Sequence, residues 1–323
     1  MPEPSETPAP EGGSVADAAQ GNWVDRFAPA WSRPYLRLSR ADRPIGTWLL
    51  FLPCAWGVSL AAAAGAPRMW DLWIVLGCAI GAFLMRGAGC TWNDINDREF
   101  DARVARTRSR PLPSGQVTVR QAYLWMAIQA GLAALILFTY NSTAVMLGIA
   151  SLAFVAIYPF AKRFTWWPQV FLGLAFNWGA LLAWGAHTGG LSAPPVILYA
   201  SGIAWTLFYD TIYAHQDKDD DALIGVKSTA RLFGERTRAW LFGFFAAAVV
   251  LMGLAVILAL VPSGAGVPQL FLAMAGVWAF GWHLAWQLSR LDTENSAACL
   301  KIFRSNREAG LLPALFLAAA VFL

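Results

Sequence analysis

The chain is written in blocks. Long apolar runs cover residues 44–63, 72–92, 121–140, 143–160, 168–187, 195–214, 239–261, 267–289 and 309–323. All but the last have the length, about 17–25 residues, that carries a helix across a bilayer's hydrocarbon core. Nine such blocks predict an all-α, polytopic membrane bundle of nine transmembrane helices.

The loops between the blocks alternate in character. One set is basic: Arg33, Arg37, Arg40 and Arg43 before the first run, then Arg98, Arg103, Arg106, Arg108 and Arg110. It continues with Lys162 and Arg163, then Lys218, Lys227, Arg231, Arg236 and Arg238, and finally Lys301, Arg304 and Arg307. The other set is short and nearly uncharged: "AAGAPRMWD", "YNS", "HTGGLSAPP", "VPSGAGVP". Positive loops stay on the cytoplasmic side of a membrane. That rule places the tail and every basic loop together, and nine crossings satisfy it without conflict. The expected location is a bacterial inner membrane, with the active site facing the cytoplasm.

Residues 1 to about 25 are rich in Pro, Glu, Ala and Gly. They lack the apolar stretch of a signal peptide, and their acidity argues against a mitochondrial transit peptide. The expected organisation is a disordered tail over 1–30 and one transmembrane domain over 31–323.

Composition supports this reading. Of 323 residues 57% are hydrophobic and 14% charged, against about a quarter charged in soluble domains. The seventeen Trp suit membrane interfaces. No basic stripe accompanies a nucleic-acid-binding pattern, so the expected surroundings are membrane lipid and not nucleic acid. Cys54, Cys78, Cys90 and Cys299 are scattered, without the spacing of a zinc or haem site.

Against this background two polar stretches stand out: "WNDINDREFD" (92–101) and "YDTIYAHQDKDDD" (209–221). They hold nine of the chain's twenty acids, and each directly follows an apolar run. On a helix Asn93, Asp97 and Asp101 fall at i, i+4 and i+8, on one face. Asp217 and Asp221 repeat the i, i+4 pair, which points to a faint internal repeat with two equivalent helix ends facing one another. Carboxylates so spaced repel each other, so a cation is expected. Oxygen ligands without Cys or His favour a hard ion such as Mg²⁺, which takes one or two carboxylates plus substrate phosphates. Arg106, Arg108, Arg110, Lys162, Lys227 and Arg231 share the acids' side. Metal-holding acids beside cations are what a diphosphate needs.

These residues carry a resemblance. "NDINDREFD" resembles the NDxxDxxxD motif of the UbiA superfamily of intramembrane prenyltransferases, and "YAHQDKDDD" its second acidic motif. "DRPIGTWLLFLPCAWG" (42–57), "RTRSRPLPSG" (106–115), "YPFAKRFTWWPQ" (158–169) and "IGVKSTARLFG" (224–234) extend the likeness over about residues 36–320. The resemblance implies nine helices around a central cavity, Mg²⁺ dependence and a polyprenyl diphosphate donor. It is nearest the ubiquinone-pathway branch, whose acceptor is 4-hydroxybenzoate, prenylated ortho to its hydroxyl. It assigns Asp97, Asp101, Asp217 and Asp221 to metal, and Asn93, Arg110, Tyr158 and Lys162, with Lys227 among the nearby bases, to the diphosphate. Arg163 falls to the acceptor's carboxylate, and Asp217 or Asp221 to the catalytic base. The alternatives are a relative with a menaquinone, haem O or chlorophyll-type acceptor, or an ion-coupled transporter with acidic pairs in its path.

Overall fold

The computed structural model describes residues 21–103, 107–218 and 225–323. Among the described residues there are helices and turns and no strand. Two short helices, α1 (Trp23–Phe27) and α2 (Arg33–Leu38), precede α3 (Ile45–Ala64), α4 (Met69–Asp101), α5 (Val119–Leu137), α6 (Ser142–Phe164), α7 (Pro168–Thr188) and α8 (Ala193–Ala214). Then follow α9 (Thr229–Phe233), α10 (Thr237–Leu260), α11 (Val267–Arg290), α12 (Ser296–Arg304) and α13 (Asn306–Ala320).

Every one of the nine apolar runs is helical. Among the described residues six helices are long and apolar enough to cross a membrane by length and composition: α3, α4, α6, α7, the stretch that ends in α10, and α11. The other three fall short for visible reasons. Helix α13 has 15 residues, while α5 carries Gln121 and Gln129 and α8 carries Ser201, Thr206, Asp210 and Thr211.

The chain forms two compact units. One joins the described residues up to Pro44 with Met85–Gly131; the other joins Ile45–Leu84 with Leu132–Leu323.

In the larger unit neighbouring helices close a ring: α3 packs on α7, α7 on α8, α8 on α10, α10 on α11, α11 on α13, and α13 back on α3. Side chains from all six merge into one apolar core. Trp56, Trp205 and Phe280 meet there with centroids 5.0–6.0 Å apart. Each buried indole N–H finds an acceptor: Trp56 donates to the Gly310 carbonyl and Trp205 to Asn306 Oδ1, both at 2.8 Å. Small residues set the closest approach. A Cβ on Gly57 would sit 2.4 Å from the Ala180 carbonyl oxygen, so α3 and α7 touch backbone to backbone, as in membrane bundles. The rim is apolar too: Leu152 on α6, Val250 and Ile257 on α10, and Phe271, Trp278 and Trp282 on α11 are exposed. That much apolar surface is stable in lipid, not in water.

The smaller unit holds α1, α2, the acidic end of α4 and the start of α5. Leu38, Leu112, Val117 and Ala122 form its core, with Tyr35, Ile95 and Trp125 packed on it. Helix α4 has 33 residues, roughly 50 Å at 1.5 Å per residue. Its apolar part, 72–92, is enough for a bilayer of about 30 Å. The remainder carries the first acidic motif.

Candidate active site

The first motif is helical throughout, so Asn93, Asp97 and Asp101 do share a face one turn apart. The site is closely built. Asp94 is 0% exposed, Asp97 1% and Asp101 8%. Three carboxylates at one buried helix end need cations, and Arg110 and Arg40 are among those the chain supplies. Arg110 donates through Nη1 to Asp101 Oδ2 at 2.8 Å, and the same nitrogen lies 3.6 Å from Asp94 Oδ1. Arg40 donates to Asp94 Oδ1 at 2.6 Å. Thr107 donates its hydroxyl to the Asp101 carbonyl at 2.8 Å, turning the chain back after the helix so that Arg110 returns to it.

Arg40 reaches Asp94 from an unusual backbone. Its φ is 58°, the only positive value outside glycine among the described residues. The left-handed region costs a residue with a β-carbon about 1–2 kcal/mol. Packing and hydrogen bonds hold it there. Arg40 donates to the Arg37 carbonyl, and Arg37 pairs with Asp25 at 2.8 Å. Ser39 donates to Gln129 Oε1 at 3.0 Å and accepts from Trp125 Nε1 at 2.7 Å, tying α2 to α5. Arg37 and Arg40 therefore do more than mark a side of the membrane; both are buried in ion pairs.

The remaining site residues belong to the larger unit. Tyr158, Lys162 and Arg163 close helix α6. Tyr158 and Lys162 lie one turn apart on one face, half-buried, while Arg163 is exposed with its guanidinium 5.4 Å from the Phe160 ring. The backbone brings Lys162 and Lys227 together: the Lys227 N–H donates to the Lys162 carbonyl at 3.2 Å. Lys227 Nζ lies 3.4 Å from the Phe164 carbonyl and 5.9 Å from the Trp166 ring centre. A buried polar cluster pins the first residue of α9. Thr229 bonds Thr211 hydroxyl to hydroxyl at 2.6 Å, and its N–H donates to Gln169 Oε1 at 3.3 Å.

The second acidic stretch is described only as far as Lys218. Helix α8 ends at Ala214, and His215–Asp217 form a 3-10 turn. The i, i+4 pair expected for Asp217 and Asp221 lies partly outside the described residues, as do Asp221 itself and Arg106. His215 anchors the turn, its Nδ1 2.9 Å from the Thr211 carbonyl. Burial pushes the His215 imidazole below its ordinary value, only partly offset by that bond. Tyr213 packs on Phe303 of α12, 4.4 Å between ring centres. Asn177, a buried polar residue within α7, donates to Thr206 Oγ1 at 2.8 Å and to the Gly173 carbonyl at 2.9 Å, which makes it a tie between α7 and α8.

The donor set of the first motif, two carboxylates and an amide, suits a hard divalent cation bound jointly with phosphate oxygens. Among the described residues no three His, Cys, Asp or Glu side chains are gathered as a protein-only metal cage. An ion here would draw further ligands from a substrate.

A helical membrane bundle with this acid-and-base end is the architecture of an intramembrane prenyltransferase, and the chain belongs to the UbiA prenyltransferase family, whose model matches residues 50–307. Its relatives narrow the reading. The mitochondrial 4-hydroxybenzoate polyprenyltransferase of Mus musculus is 49% identical over 90% of this chain and 75% of its own length. The enzyme of the same name from Homo sapiens is 45% identical over 96% of this chain and 81% of its own, and that of Arabidopsis thaliana 43% over 91% and 70%. Among solved structures, a UbiA homologue from Aeropyrum pernix superposes with a TM-score of 0.65 at 24% identity, over 85% of this chain and 96% of that one. A homologue from Archaeoglobus fulgidus bound to GPP and Mg²⁺ gives 0.65 at 21%, over 90% and 100%. These superpositions establish the fold.

The relatives also correct one expectation. They are mitochondrial enzymes of animals and a plant, so a bacterial inner membrane, and with it a cytoplasm-facing site, is not supported. The reason is physical. Loop charge orders the loops relative to one another; it does not say which membrane holds them.

Proposed function

We propose that this protein transfers a polyprenyl group from polyprenyl diphosphate to 4-hydroxybenzoate, at the carbon ortho to the hydroxyl, as a step in ubiquinone biosynthesis. The observation that carries the proposal is identity of 49% across 90% of the chain to a relative named for this reaction. The oxygen-rich, Arg-bearing end of α4 supports it.

In this reading Asp97 and Asp101, with Asp217 and Asp221, hold Mg²⁺ ions against the donor's diphosphate. Mg²⁺ bound there would draw off the negative charge that develops on the leaving group. Asn93, Arg110, Tyr158, Lys162 and Lys227 orient the diphosphate and share that charge. Breaking the allylic C–O bond leaves a carbocation, so the apolar bundle must exclude water. Arg163 receives the carboxylate of the acceptor, whose ring carbon attacks the cation. A carboxylate of Asp217 or Asp221 then takes the proton from that carbon.

The test is to incubate the purified full chain with 4-hydroxybenzoate and several prenyl diphosphates, with Mg²⁺ or with EDTA, and to identify products by mass spectrometry. A prenylated hydroxybenzoate formed only with metal is expected. No adduct in the presence of Mg²⁺ sinks the reaction, and an adduct that persists in EDTA sinks the metal role. Adducts with other aromatic acceptors alone would move the protein to another branch of the family.

A further inference from the structure

We infer that Asp94 is a positioning residue, one that fixes the Arg110 guanidinium beside the diphosphate end of α4 without itself binding the ion. The inference rests on the function proposed above.

Three observations carry it. Asp94 lies seven residues before Asp101, two helical turns, so the two carboxylates nearly line up along α4. One nitrogen of Arg110 lies between them, 2.8 Å from Asp101 and 3.6 Å from Asp94. Next, the Asp94 oxygen that faces these cations is already taken. Oδ1 receives Arg40 at 2.6 Å, while Oδ2 is buried without a hydrogen-bond partner among the described residues. The Asp94 oxygen that faces the cations is thus committed to guanidinium rather than to an ion. Finally, the partner is held at the cost of backbone strain, since Arg40 keeps a φ of 58°. Strain of this kind persists where the surroundings over-determine it, and it clusters at functional sites.

The division of charge follows. Arg40 neutralises Asp94. Arg110 bonds Asp101 at 2.8 Å and also lies 3.6 Å from Asp94, so part of its charge is balanced by Asp94 and less of it bears on Asp101. Without the charge on Asp94, Arg110 would pair with Asp101 alone and compete with the cation that Asp101 is to hold. Asp94 would thus govern metal and diphosphate binding without touching either.

The alternative is that Asp94 and Arg40 only staple α2 to α4. Two variants of the full chain separate these roles: Asp94→Asn, and Asp94→Asn combined with Arg40→Gln. The second removes the buried charge that the first leaves orphaned, which is the usual cause of collapse when one partner of a buried pair is lost. The readout is calorimetric binding of Mg²⁺ with inorganic diphosphate, beside thermal unfolding. If Asp94 positions Arg110, both variants lose affinity by about 10- to 100-fold, the usual cost of removing an outer partner at a metal site. The double variant loses it even where it regains stability. Wild-type affinity in the double variant, or in Asp94→Asn alone, overturns the inference. Should Asp94→Asn fail to fold, the double variant decides. The calorimetry needs no prenyl transfer. A wild-type protein that binds Mg²⁺ and diphosphate yet forms no adduct would refute the reaction and leave the role of Asp94 standing.

Discussion

Gly87 offers a sharp test of how the site is held. It lies in α4, two turns before Asp94, and it is glycine because nothing larger fits. A Cβ there would stand 1.9 Å from Gln129 Oε1 and 3.0 Å from the Ser39 Cβ. Gln129 is buried and accepts the Ser39 hydroxyl, so it has little room to withdraw. Gly87→Ala would therefore expel the Gln129 amide, break the Ser39 bond and push α2 away from α4. In an exposed helix the same substitution stabilises by about 1 kcal/mol. Here an overpacked core position and a broken buried hydrogen bond oppose it, each worth about 1–3 kcal/mol. The control lies six residues back in the same helix: a Cβ on Gly81 meets nothing within 4 Å. Gly87→Ala should fall roughly 2–6 kcal/mol below Gly81→Ala in unfolding free energy. Because Ser39 adjoins Arg40, the donor KM should rise as well. Denaturant unfolding in one detergent, followed by tryptophan fluorescence, measures the difference. If the two alanine variants were equally stable, the packing of α2 on α4 would not be what holds Arg40 in place.

Other outcomes follow from the same geometry. Asp97→Asn should leave the protein folded and lower turnover by about 100-fold or more, the scale of losing a charge-stabilising group; near wild-type turnover would remove Asp97 from the metal set. Arg163→Ala should raise KM for 4-hydroxybenzoate far more than KM for the donor, and equal shifts in steady-state kinetics would reject the acceptor assignment. His215 has its folded-state value lowered by burial. Its contribution is therefore complete above the unfolded value of about 6.5 and is lost as pH falls from there through the folded value. Unfolding measured from pH 7 to 5 should show stability falling for the wild type and a shallower fall for His215→Gln; parallel curves would show that His215 is not the group responsible.

What could be read from the sequence divides along physical lines. Apolar length fixes the helices, because a bilayer demands about twenty residues per crossing whatever surrounds them. The spacing of Asn93, Asp97 and Asp101 was legible because α4 simply continues to Asp101. At the second motif α8 stops at Ala214 and His215–Asp217 form a 3-10 turn, a change of helix type that the apolar pattern does not announce. Arg37 and Arg40 were the least legible. Counted as loop charges they indicate sidedness, yet Arg40 pairs with an acid 54 positions away. No periodicity announces such a contact, and neither does a left-handed arginine. A signal was still present in the charge balance. Asp94 lies nearly above Asp101 on the helical wheel, so this end of α4 carries one more acid than the metal motif needs. In a chain with only 14% charged residues, a surplus carboxylate facing the site must find a fixed cation. The buried arginine is the answer to that imbalance.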